Sequence, residues 1–145
     1  MRVLSRSETE QFLKEIEGTT YENLLIATLF MGTRLGEIVG LRWKDVDFEA
    51  GTVHIGGQLQ KVVGAKDLYQ YVETKTGNER TIVPAPFVMS ALKEELEKQE
   101  KWKAEFPSVW QESGYVFVNQ LGLPLKHHTV YHNLKKLPKK WESQN

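Results

Sequence analysis

The hydrophobic period of this chain changes twice, near Gly51 and again at Pro84 and Pro86, and this double switch narrows the folds open to it. Before Gly51 the apolar residues recur at helical spacing. Phe12, Leu13 and Ile16 form one face, opened by a Ser7-x-x-Glu10 capping signature and ending near Gly18. Residues 21–31 form a second helical segment, apolar enough to be buried. Gly32 and Thr33 break it, and a third helix is expected over residues 34–41 with Thr33 as its N-cap. "WKDVDFEAG" reads as a short helical turn and a loop closing at Gly51. From Thr52 onward β-branched and alternating runs take over: residues 52–55, 58–63, 68–73 and 80–84. Gly77-Asn78 is a turn signal between the last two, which predicts a β-hairpin with Lys75 close to its tip. After the prolines, Val88, Leu92 and Leu96 stripe an amphipathic helix running from Phe87 to about Ala104, with Pro107 as its stop. "YVFVN" predicts a short strand, and residues 129–137 a last short helix closed by Pro138. The expected class is α+β, mainly helical, with helices around a small three-stranded antiparallel sheet.

A chain of 145 residues suffices for one domain with a real core. It has no cysteine, which excludes disulfides, thiolate metal sites and a cysteine nucleophile. No apolar run approaches the roughly 20 residues that span a bilayer, and "MRVLSR" lacks the apolar stretch of a signal peptide, so the cytoplasm is the expected location. The net charge of zero argues against strong indiscriminate binding to nucleic acid, but the charge is uneven. Residues 126–140 hold Lys126, Lys135, Lys136, Lys139 and Lys140 with His127, His128 and His132, and no acid. That stretch reads either as a solvated helix or as a contact to DNA. Glu94, Glu95, Glu97, Glu100 and Glu105, interleaved with lysines, read as a solvated helix face.

Two cations stand out by placement. Arg34 follows a Gly-Thr break at a helix mouth, where free N–H groups also favour an anion, and Lys75 sits in the expected hairpin. Together they suit a clamp on a phosphodiester; singly, each reads more often as surface charge.

"TRLGEIVGLRWKDVDFEAGTVHI" resembles the opening active-site segment of the tyrosine recombinases, the phage integrase family. The shared pattern is a buried helix, Gly-x-Arg, a glutamate three residues after that arginine, Leu-Arg-Trp, Asp-Val-Asp, and Gly-Thr-Val leading into a strand. "TKTGNERTIVP" is similar to the family's lysine hairpin and the strand after it, and "GLPLKHHTVYHNLKKL" to the stretch before its second active-site block. The resemblance runs in order over nearly the whole chain. It implies a catalytic domain that cuts DNA with a tyrosine phenolate, forms a 3′-phosphotyrosyl link and rejoins the strand with no metal or other cofactor, in a bacterial or phage-encoded protein. Double-stranded DNA and further recombinase protomers are the implied partners; no membrane is involved. Arg34 corresponds to the first of the family's two arginines, holding the nonbridging oxygens. Lys75 corresponds to the general acid that protonates the leaving 5′-oxygen. Glu37, one turn beyond Arg34, is implied to brace the site; otherwise it is a helix-surface glutamate. Asp45 matches a frequent family acid and reads here as a cap of the short turn. Lys126, Lys135 and Lys136 are the candidate DNA contacts.

The family's second block is His-x-x-Arg, then His or Trp, then the tyrosine nucleophile. This sequence has no arginine after Arg80, and its tyrosines (Tyr21, Tyr69, Tyr71, Tyr115, Tyr131) all precede the place where that nucleophile would come. Tyr131, the nearest of them, reads as a packing residue. Residues 1–145 are therefore expected to be the N-terminal portion of an integrase catalytic domain, lacking the second block and the core-binding domain, with no nucleophile and no activity alone. The alternatives are a noncatalytic DNA-binding or regulatory remnant, a metal-dependent hydrolase using His128 and His132 at i, i+4 spacing, and a simple interaction module.

Overall fold

The computed structural model describes residues 5–65, 68–74 and 78–134. Five α-helices and five short strands follow in the order α1 (Arg6–Ile16), α2 (Glu22–Met31), α3 (Leu35–Val39), a 3-10 turn (Trp43–Asp45), β1 (Val46–Asp47), β2 (Thr52–Ile55), β3 (Gly57–Lys61), β4 (Tyr69–Glu73), β5 (Arg80–Ile82), α4 (Pro86–Glu105) and α5 (His127–Leu134). The class is the expected one: helices around small antiparallel sheets. Ile16, Leu24, Ile38, Val53, Ile55, Leu92, Phe117 and Val130 share one core, so every layer contributes to it.

Local chemistry moves several boundaries. The capping box of α1 starts two residues early. Ser5 Oγ accepts the Glu8 N–H and Glu8 Oε1 accepts the Ser5 N–H, while Glu10 pairs with Arg6 at 3.3 Å. Thr33 does not cap α3. It is buried, its hydroxyl has no hydrogen-bond partner among the described residues, and Arg34 is the N-cap residue. Gly32, at φ 63°, makes the left-handed stop of α2 that only glycine adopts freely.

The strand pairing departs most from expectation. The three-stranded sheet has the order β1-β2-β5, and a separate ribbon pairs β3 with β4, all antiparallel. β4 and β5 therefore do not form a hairpin with each other. The ribbon reverses through residues 62–68, where the Val62 N–H donates to Leu68 O at 2.7 Å and Gly64 has φ 81°. At its other end the Thr74 N–H donates to Gly56 O at 2.8 Å, and pairing resumes only at Arg80 opposite Ile55. Lys75 falls in the interval between those two contacts and lies outside the described residues.

α4 buries Val88, Ala91 and Leu92, but its stripe continues through Glu95 and Gln99, and Leu96 is only half-buried. Both buried polar groups are satisfied, as burial demands. Glu95 Oε2 accepts from Asn23 Nδ2 at 2.9 Å and from Lys98 Nζ at 2.8 Å, so it is no solvated surface acid. Gln99 Nε2 donates to Tyr115 O and Val116 O, and its Oε1 accepts the Trp43 indole N–H at 3.2 Å. This clamp holds "YVFVN" against the core. The segment is not a strand: it makes isolated bridges, Arg42 with Tyr115 and Val118 with Pro124. Its apolar run is nevertheless buried at Val116, Phe117 and Val118. Phe117→Ala is expected to cost about 3–5 kcal/mol through transfer and cavity terms, read as a lowered urea midpoint with an unchanged m-value. A loss below about 1 kcal/mol means the segment is not core. α5 begins two residues before the expected start, and its expected end lies outside the described residues.

Candidate active site

Arg34 stands in extended backbone (φ −80°, ψ 153°) at the mouth of α3, with its side chain exposed. α3 has only five residues, so its dipole adds little to the charge of the guanidinium. Among the described residues that guanidinium has no hydrogen-bond or ion-pair partner.

Glu37, three residues on, joins the mouth of α3 to β5. Its Oε1 accepts the Arg34 backbone N–H at 2.9 Å, the N-cap half of a capping box. Both its oxygens also accept from Arg80 on β5, Nη2 to Oε1 at 3.0 Å and Nη1 to Oε2 at 3.1 Å. This is the bidentate geometry that suits guanidinium to carboxylate. Arg80 Nη1 also reaches Asn78 O at 3.4 Å. The pair thus ties the mouth of α3 to the strand that follows Lys75. The Glu37 side chain is 13% exposed and that of Arg80 39%. Burial pushes the Glu37 carboxyl up. The Arg80 hydrogen bonds, the Arg34 N–H and both positive charges outweigh it and hold the carboxyl below its usual range. The same contacts raise Arg80 further above its ordinary value, so it stays charged.

That shift makes stability depend on pH. A carboxyl whose folded value lies below its unfolded value contributes stability that is full above the unfolded value, and this is lost as pH falls through the folded one. Glu37→Gln is therefore expected to destabilise the chain by about 1–2 kcal/mol at neutral pH. The gap to wild type should close as the medium is acidified past about pH 4. Urea melts across that range check it; a gap that stays constant with pH contradicts the linkage.

The remaining candidates are dispersed. Asp45 does not cap its turn; it pairs with Arg42 at 3.2 Å, and the Arg42 guanidinium lies 3.7 Å over the Tyr71 ring. Lys126 lies just before α5 and is half-buried; Lys135 and Lys136 lie outside the described residues. His128 Nδ1 is 3.2 Å from the Tyr69 hydroxyl, and no three His, Asp or Glu side chains among the described residues gather as a metal ion requires. Tyr131 is 57% exposed, and its neighbour Val130 is the residue of α5 buried in the core.

The residue of this cluster that sequence reasoning missed is Arg80. The "RTIVP" strand marked it as family-like, but its partner lies far away in sequence, and no local spacing shows the contact.

Three comparisons bear on this arrangement. A tyrosine recombinase XerC-like protein of Caldanaerobacter subterraneus subsp. tengcongensis is 27% identical over 147 residues, covering 94% of this chain and 38% of that protein. The Tn1549 transposon integrase, solved in complex with a circular intermediate DNA, superposes with a TM-score of 0.77 at 23% identity over 99% of this chain and 46% of its own. The XerA recombinase superposes with a TM-score of 0.64 at 21% identity over 100% of this chain and 44% of its own. The two structures establish a shared fold, and the chain spans less than half the length of each of these proteins. The model of the phage integrase family matches residues 2–145, and the chain belongs to that family.

Proposed function

We propose that this chain supplies the first half of the active site of a site-specific DNA recombinase, which breaks and rejoins double-stranded DNA through a phosphotyrosine intermediate in the cytoplasm. The observation that carries the reading is the Arg34 guanidinium: exposed and free of an ion-pair partner among the described residues, while the acid beside it is occupied by Arg80. Arg34 holds the nonbridging oxygens of the scissile phosphate, where charge builds as the pentacoordinate state forms. Lys75 donates the proton that the departing 5′-oxygen needs. Glu37 positions Arg34. The second arginine and the tyrosine come from a block that this sequence does not contain, and further protomers complete the assembly. The chain is the N-terminal portion of a catalytic domain and is inactive alone.

Binding separates this function from an interaction module. The chain is expected to bind duplex DNA weakly, with log affinity falling linearly in log salt, through Arg34 and the basic stretch that begins at Lys126. Arg34→Met should reduce the magnitude of that slope by about 1, one phosphate contact. Fluorescence anisotropy across a salt series reads it. A salt-independent affinity, or an Arg34→Met slope equal to wild type, contradicts the proposal.

A further inference from the structure

Glu37 lies three residues after Arg34, at the N3 position of the helix whose N-cap residue is Arg34, and the positive charge of Arg34 acts on its carboxylate. The two side chains do not pair. The Glu37 oxygens are taken up by two N–H groups of Arg80 and by the Arg34 backbone N–H, at 2.9–3.1 Å. We propose that Arg80 is a positioning residue for Arg34: by covering both oxygens of Glu37 it keeps that carboxylate off the Arg34 guanidinium, which is left free to take a phosphate.

Without Arg80, Glu37 needs another cation. Its side chain is 13% exposed, and a carboxylate so placed is costly unless a cation compensates it. Arg34 is the other positive charge acting on it, and its side chain is exposed, so no packing holds it away from the carboxylate. Removing Arg80 therefore removes two cations from the surface, one by deletion and one by capture. Arg80 can hold its place because its backbone is fixed in the ladder opposite Ile55 and its planar fork meets both oxygens at once. An ammonium in the same position covers one oxygen and leaves the other for Arg34.

This inference rests on the reading of Arg34 as a phosphate ligand, and a mutant cycle on the chain, with a duplex oligonucleotide as probe at low salt, tests the two separately. Arg34→Met should weaken binding about tenfold, the loss of one charge-assisted contact. Arg80→Met should weaken it at least as much, and adding Arg34→Met to Arg80→Met should change nothing further, because Arg34 is already captured. Glu37→Gln on top of Arg80→Met should restore binding to within about twofold of Glu37→Gln alone. Glu79→Gln, which makes the same change in charge from a neighbouring exposed site, should not. In NMR spectra the Arg34 Nε–H should exchange rapidly in wild type and be protected in Arg80→Met. If Arg80→Met melts below the assay temperature, Arg80→Lys carries the same cycle with a smaller loss. A full Arg34→Met penalty persisting in the Arg80 variant, or equal rescue by Glu79→Gln, overturns the role of Arg80. No Arg34→Met penalty in wild type overturns instead the phosphate reading on which it rests.

Discussion

In a chain continued through a second arginine and a tyrosine, Arg34→Met is expected to lower the rate of DNA strand cleavage by about 10²–10³-fold at saturating protein, the cost of one preorganised electrostatic group. The fold should not notice. The Arg34 side chain is exposed, its guanidinium has no partner among the described residues, and the N–H that Glu37 accepts belongs to the backbone and survives the change. Lys75→Met should lower the rate by a comparable factor, but for a different reason. A substrate whose 5′-bridging oxygen is replaced by sulfur has a leaving group that needs little protonation, so it should rescue Lys75→Met and leave Arg34→Met slow. Single-turnover cleavage of both substrates separates the two roles. Equal rescue of both variants contradicts them.

Arg34 and Glu37 were legible in the sequence because their relation is local: a glycine-containing break, an arginine, and a glutamate at the N3 position of the helix that follows. The helices were legible for the same reason, since a stripe such as Val88 and Leu92 repeats within a few residues. What was lost depends on long-range contact. Glu95 reads in the sequence as a surface acid of a charged helix, yet it faces Asn23, and Gln99 beside it faces the 115–116 backbone, partners that local spacing cannot show. Gly77-Asn78 carried a strong turn signal, but the ribbon reverses around Gly64, because register follows from how β3 and β4 place Leu59 and Tyr71 against the core. The apolar run of "YVFVN" announced burial correctly and strand geometry wrongly. A continuous apolar run does not distinguish a strand from an irregular segment that a side chain such as Gln99 holds in place.

In the proposed function, residues 1–145 hold the scissile phosphate and contain no tyrosine placed to attack it. Losing the nucleophile removes the covalent route altogether. The chain does present one phenol beside a base, Tyr69 at 3.2 Å from His128 Nδ1, and one exposed on α5, Tyr131. Neither is preceded by the His-x-x-Arg block that would supply the second arginine. The most direct measurement is covalent trapping on nicked duplexes drawn from the DNA around the encoding gene, where the nick beside the scissile phosphate lets the cut strand diffuse away and fixes any phosphotyrosyl adduct. The account predicts no protein–DNA band from residues 1–145. It predicts a band once the chain is continued through a downstream His-x-x-Arg block and tyrosine, lost when that tyrosine becomes phenylalanine. A band from residues 1–145 that disappears in Tyr69→Phe or Tyr131→Phe would contradict it.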